Sequence, residues 1–257
     1  MLFGDNRSGI MKRLALWLAA GMVLAAAFIA VSIPAGAAAD HTNGAPVPPP
    51  DVPGVVTLFS GQRGEIAANW LQRGGTQPSQ WKFQDGTMVA TDSDTYTRQK
   101  FEDFQLHLEF KLPYEPTHHG QDRSNSGVYL QGRYEIQVLD SYGLPDPGKG
   151  DCGAVYSQAG PLVKAYRPPL QWQTYDIVFH GARVDATTHK VTDPARVTIF
   201  LNGVAIQNNQ VITGPTGGQM DDNVGEPGPL LLQYHGHPVQ YRDIWILPLP
   251  PHGADHY

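Results

Sequence analysis

The chain has 257 residues, with 18 basic side chains against 24 acidic ones, and a single cysteine. A net charge of −6 argues against nucleic acid and anionic membrane surfaces as partners, and one thiol excludes an internal disulfide framework. The 28 Gly and 22 Pro punctuate the whole sequence and helix-period patterns are scarce after residue 60, which points to an all-β domain rich in turns.

Arg7, Lys12 and Arg13 precede an apolar run over residues 14–31, and small residues then lead to Ala37-Ala38-Ala39 before Asp40. A basic segment, an apolar segment and an Ala-x-Ala site make residues 1–39 a secretory signal. The apolar run is long for a signal, so an uncleaved N-terminal membrane anchor is the alternative. The protein is expected to be exported, to the periplasm or the cell exterior. No Cys lies near the cleavage point, so a lipid anchor is not expected. Cleavage leaves 15 basic against 23 acidic side chains, a net of −8. Residues 40–54, rich in Pro, Gly and Ala, read as a linker, residues 55–250 as one domain and 251–257 as a C-terminal tail.

Residues 55–59 open the domain as a strand, and Ala67-Ala68-Asn69-Trp70 reads as a turn or helical piece. Asp85-Gly86 marks a hairpin between 81–83 and 87–90. Residues 104–112 alternate cleanly, with Phe104, Leu106, Leu108 and Phe110 against Gln105, His107, Glu109 and Lys111. A polar loop, 113–123, leads to SNSGVYLQGRYEIQVLD at 124–140, two strands joined at Gly132-Arg133. Alternation puts Val128, Leu130, Ile136 and Val138 on one face and Tyr129, Gln131, Glu135 and Gln137 on the other. Strands follow at 174–179 and 196–201, and Asn202-Gly203 turns the chain into 204–207. Residues 210–227 form a long loop, and strands at 230–235 and 239–247 close the sheet. About a dozen strands in roughly 200 residues suit a two-sheet jelly-roll sandwich of the concanavalin or laminarinase kind.

One face of the 124–140 hairpin is apolar, while the other carries amides, a carboxyl and an aromatic ring, as the floor of a sugar-binding groove does. Glu135-Ile-Gln137-Val-Leu-Asp140 keeps the spacing of the Glu-x-Asp-x-x-Glu strand of laminarinase-type glycosidases, but its middle residue is an amide. Residues five apart on a regular strand point to opposite faces, so the expectation is one groove carboxylate, Glu135, and a loop-capping Asp140. Gln233 and His235 share a strand face, His237 follows in the turn, and Arg242 on the return strand is suited to stabilising oxyanion charge. His107 and Glu109 add polar groups from the centre of a long strand, and Trp172 and Tyr175 offer rings for stacking on a sugar. His235 and His237 have ligand spacing, but no third ligand follows from it, so no metal and no cofactor is expected. Cys152, in Gly150-Asp151-Cys152-Gly153, has no activating His nearby in sequence and is expected to be inert.

NSGVYLQGRYEIQVLDS, GAVY at 153–156, QWQTYDI at 171–177, LNG at 201–203 and GPLLLQYHGHPVQYRDI at 228–244 occur in this order. In them the chain resembles the 3-keto-disaccharide hydrolase domain family over residues 55–249. The resemblance implies a concanavalin-like jelly roll acting on sugars oxidised at C3. A C3 ketone acidifies the C2 proton, so a base and an oxyanion stabiliser suffice for elimination of the C1 substituent, and water then adds to the enone. The expected activity is therefore cleavage of 3-keto-glycosides or disaccharides. The expected roles are Glu135 or His235 as base, Arg242 on the enolate, and His107, Glu109, Tyr129, Gln131, Gln137, Tyr175, Gln233 and His237 on substrate. The alternative from another class is a non-catalytic, lectin-like carbohydrate-binding module, and a conventional endo-glucanase is a third reading. The partner expected is a glycoside or oligosaccharide.

Overall fold

Period-2 alternation of core-facing and outward-facing side chains builds two facing sheets, of which the strands Ser126–Leu130, Tyr134–Val138 and Gly228–Leu232 are buried on both faces. A computed structural model describes residues 49–250. The expected signal or anchor, most of the linker and the C-terminal tail lie outside the described residues. The chain opens with β1 (Val56–Phe59), a short helix α1 (Arg63–Asn69) and β2 (Trp70–Gln72). β3 (Lys82–Gln84) and β4 (Thr87–Val89) form the expected hairpin around Asp85-Gly86, both at positive φ. β5 (Thr95–Phe101) and β6 (Phe104–Lys111) lead into a long loop with one 3₁₀ turn at Gly120–Asp122. Next come β7 (Ser126–Leu130), β8 (Tyr134–Val138), β9 (Trp172–His180) and a small ribbon, β10 (Arg183–Val184) and β11 (Val191–Asp193). β12 (Arg196–Leu201), β13 (Val204–Val211), β14 (Gly228–Leu232) and β15 (Gln240–Pro248) complete the described chain.

The larger sheet runs β13-β12-β9-β6-β15-β4-β3, with β1 also pairing β15, and the smaller runs β2-β5-β14-β7-β8. All these pairings are antiparallel. This is the two-sheet jelly-roll sandwich expected from the sequence. Leu106, Leu108 and Phe110 of β6 meet Val128, Leu130, Ile136 and Val138 of the β7–β8 hairpin in one core cluster. Burying such side chains stabilises the fold by about 1.5–3 kcal/mol each. Asn202 and Gly203, with φ of 54° and 79°, make the tight turn that Asn-Gly predicts between β12 and β13. Among the described residues no helix is long and apolar enough to cross a membrane.

Several features escaped the sequence, β2 and the β10–β11 ribbon among them. β5 is a strand of the smaller sheet, yet its buried positions include Thr95 and Thr97, whose hydroxyls bond Leu71 O and Gln99 O. Small polar residues there leave no apolar alternation to read. In β15 the register against β6 shifts between Arg242 and Trp245, around Asp243 at φ 46°. That bulge puts Arg242 and Trp245 opposite Glu109 and His107 while Tyr241, Ile244 and Ile246 join the core.

Cys152 lies in the core, with its Sγ 3.3 Å from the Tyr175 hydroxyl. Burial pushes its thiol up to about 11. A neutral, enclosed thiol is a poor nucleophile. The native protein should therefore resist iodoacetamide at pH 8 and take up one label per chain only in denaturant, as read by mass spectrometry. Rapid native labelling would show the site to be open.

Candidate active site

The outer face of the smaller sheet carries the cleft. Cross-strand register lines up Leu71, Tyr96, Leu231, Tyr129 and Glu135 in one row. The next row sets Gly127 opposite Gln137, and Gln233 N donates to Gly127 O at 2.9 Å. A cleft of about 260 Å³ opens here, lined by Glu135, Gln137, Tyr129, Gln233 and His235 together with Gln121, Asn125, Tyr156, Gly217 and Gly218. Gly127 makes room for the acid: a Cβ there would lie 2.5 Å from Glu135 Oε1 and 3.0 Å from the Tyr129 ring.

Glu135 is almost fully buried on β8. Its backbone N donates to Thr216 Oγ1 at 2.8 Å, which ties the strand to the loop after β13. Burial pushes its carboxyl up to about 7, a hydrogen bond from Tyr129 relieves part of that, and the negative charge of Asp94 adds to the rise. The Tyr129 hydroxyl donates to Gly217 O at 2.9 Å and accepts from Gln233 Nε2 at 3.1 Å. Burial first, then the charge of Glu135, holds Tyr129 neutral far above its ordinary range. Gln137, with its amide nitrogen turned toward acceptors, donates to Ser126 O at 2.9 Å and to Glu135 Oε1 at 3.2 Å. Asn125 Oδ1 and Gln233 Oε1 are buried without a hydrogen-bond partner in this cleft. Orphaned buried acceptors are costly, and a ligand rich in hydroxyls would satisfy them.

The structure thus brings Glu135, Tyr129, Gln137, Gln233 and His235 together, although β14 ends at Leu232, so Gln233 and His235 reach the cleft from the following turn and not from the expected strand over 230–235. It does not bring the remaining expected residues to them. Gln131 sits in the hairpin turn at φ 53°, followed by Gly132 at φ 67°, and its buried amide donates to Phe101 O and Glu102 O. Two successive positive-φ residues rotate it off the strand's face. Arg242, His107 and Glu109 occupy the outer face of the larger sheet, across the core from Glu135. There Arg242 Nε donates to Glu109 Oε2 at 2.6 Å and its guanidinium lies 4.1 Å over the Trp172 ring. His107 contacts Asp176 at 2.6 Å and stacks on Trp245. Tyr175 pairs with Leu108 and points into the core, where its hydroxyl donates to Gln137 O at 2.7 Å. His237 is buried beside Glu115, outside the cleft lining. Asp140 caps a loop as expected, accepting from Arg123 Nη2 at 2.6 Å and from Tyr142 N.

Sequence reasoning missed Gln121, Asn125, Tyr156, Gly217 and Gly218 as cleft residues. Asn125 and Tyr156 lie inside the NSGVY and GAVY motifs, so their signal was present. Gln121 and the glycine pair come from loops, where no periodicity marks a facing direction.

Comparison with known proteins places the chain in one family. Residues 54–247 fit the model of the 3-keto-alpha-glucoside-1,2-lyase-like domain, and the chain belongs to that family. The chain is 34% identical to a candidate glycosyl hydrolase of Parabacteroides distasonis, with a TM-score of 0.69 over 80% of this chain and 94% of that one. Two further candidate glycosyl hydrolases of the same organism share the fold. One is 20% identical with a TM-score of 0.55, covering 77% of this chain and 94% of that one. The other is 21% identical with a TM-score of 0.52, covering 76% of this chain and 99% of that one. No curated protein matches the chain.

A carboxyl whose pKa is higher in the folded state than in the unfolded chain resists ionisation in the fold. Its contribution to stability is complete below the ordinary value of 4.5 and is lost as the pH rises through about 7. Glu135→Gln cannot ionise. It should match the wild type in urea unfolding at pH 4.5 and exceed it by roughly 1–3 kcal/mol at pH 8. A stability difference independent of pH would show that Glu135 is not held above the usual carboxylate range.

Proposed function

We propose that the protein cleaves 3-keto-glycosides or disaccharides by C2 deprotonation, elimination and hydration. The observation that carries this reading is the single carboxylate of the cleft. Among its lining residues Glu135 alone carries one. Retaining and inverting glycosidases of the ordinary kind need two, about 5–9.5 Å apart across the scissile bond. A substrate already oxidised at C3 needs one base, because the ketone makes the C2 proton acidic.

Glu135 is the base in this reading. A carboxylate near pH 7 combines ionisation with useful proton affinity, and Glu135 is poised there. It takes the C2 proton while the electrons pass to the C3 oxygen. The neutral Tyr129 hydroxyl and the cleft amides donate to that enolate, in place of Arg242, which lies across the sandwich. Collapse of the enolate breaks the C1–O bond, and the departing alkoxide takes a proton from His235 at the rim. Water then adds at C1 of the enone, giving its spare proton to His235, while Glu135 returns its proton to C2, which restores both groups and completes net hydrolysis. Gln137, Gln233 and Asn125 hold sugar hydroxyls. The signal-like pattern of residues 1–39 supports export as the setting of this activity.

Incubation of the purified protein with a 3-keto-glucoside and with its unoxidised parent tests the proposal. Release of the aglycone from the keto sugar alone is expected, with kcat/KM rising as pH passes through about 7 because the base must be ionised. Glu135→Gln should lower turnover by roughly 10²–10⁴-fold while the fold persists. Binding without turnover across a broad 3-keto panel would instead make the protein a carbohydrate-binding module.

A further inference from the structure

Beside the cleft, but outside its lining, lies a second cluster of chemistry-bearing side chains. We propose that Glu115, His118 and His237 form a binding site for a divalent first-row transition ion of the zinc type. One ligand atom from each lies within 4.8 Å of the other two. His237 Nδ1 is 2.8 Å and His118 Nδ1 3.7 Å from Glu115 Oε2. A tetrahedral ion with bonds of about 2.0–2.1 Å requires ligand atoms about 3.3 Å apart, so these separations close on an ion with little movement.

The second observation is the state of His237. Its side chain is 4% exposed, yet neither ring nitrogen has a hydrogen-bond partner. Its polar neighbours are carboxylates, Glu115 Oε2 at 2.8 Å from Nδ1 and Asp122 Oδ1 at 3.5 Å from Nε2. His118 Nδ1 is likewise buried without a partner. Leaving three imidazole nitrogens unmatched costs free energy, and lone pairs converging on one ion would recover it. The carboxylate is already oriented: Glu115 Oε2 accepts from Ser124 N at 2.8 Å and from Ser124 Oγ at 2.9 Å. Ser124 is fully buried and holds a positive φ of 51°. Such outer contacts fix metal-binding carboxylates in direction.

Two imidazoles and one carboxylate favour zinc-like ions over calcium or magnesium, which take oxygen ligands. Asp122 stands at the mouth, 3.5 Å from His237 Nε2 and 3.7 Å from His118 Nδ1, and is the nearest candidate for a fourth ligand. The ion would tie the loop that supplies Gln121 and Asn125 to the turn that supplies Gln233 and His235, and so fix two walls of the cleft. This inference does not depend on the proposed reaction.

The test uses the full chain, stripped with chelator and titrated with Zn²⁺ or Co²⁺ alone. One ion per chain is expected by elemental analysis, together with visible Co²⁺ absorption of a four- or five-coordinate site. Zn²⁺ at about 100 times Kd should raise Tm by roughly 5–10 °C. His118→Ala removes a half-exposed ligand without opening the core and should weaken binding by at least about 100-fold, as should His237→Ala where it folds. His119→Ala, a neighbour outside the cluster, should bind as the wild type does. Equal binding by wild type and His118→Ala, or none by the wild type at micromolar ion, overturns the proposal.

Discussion

The burial of one carboxyl group is the constraint on which the cleft depends. Glu135 lies on a strand whose other face fills the core with Tyr134, Ile136 and Val138, so its side chain cannot turn inward. It lies against Gly127 and Tyr129 instead, in a space that no larger residue at 127 would leave. Loss of hydration at that place raises its proton affinity. The same loss keeps Tyr129 protonated, which makes it a donor rather than a charge. A base and a neutral donor therefore arise from one desolvated row of one sheet.

Loops supply what the sheet cannot. Thr216 and Gly217 come from the loop after β13, and both contact the Glu135–Tyr129 row through hydrogen bonds. Arg133, almost fully buried, donates to Asp221 Oδ1 at 2.6 Å and to Glu226 O at 2.7 Å, and so fastens that loop to the hairpin. The hairpin thus carries the chemical groups and also anchors the wall that closes over them. The arginine is buried while Asp221 stays partly exposed, so the pair matters more for the geometry of the loop than for net stability.

The parts of this arrangement legible in the sequence are those that alternation controls. Glu135, Gln137 and Tyr129 oppose Ile136, Val138 and Val128 with period 2, and a one-residue slip would exchange core for cleft. Position 131 departs from the alternation because the turn begins one residue earlier than Gly132-Arg133 suggests, and a left-handed residue no longer obeys the pleat. Tyr175 was misplaced by phase: in β9 it shares parity with Ile177, a core residue, and not with Trp172. Arg242 alternates correctly on its own strand, but which outer face that strand presents follows from its pairing with β6, more than 130 residues away. Long-range pairing of this sort leaves no local signal. Nor does the Glu115–His118–His237 cluster, whose members come from two loops.

The two outer faces of the sandwich show why polar alternation alone is a poor guide to function. Both carry a buried glutamate. On the larger sheet Glu109 meets the guanidinium of Arg242 at 2.6 Å and is held in a fixed ion pair. On the smaller sheet the neighbours of Glu135 are a phenol and an amide, which donate hydrogen bonds but bring no positive charge. Such a carboxylate keeps a proton affinity near neutrality and faces an open cleft. The difference between a structural and a reactive acid lies in what stands opposite each of them across the strands, and that is a property of sheet order rather than of the strand's own sequence.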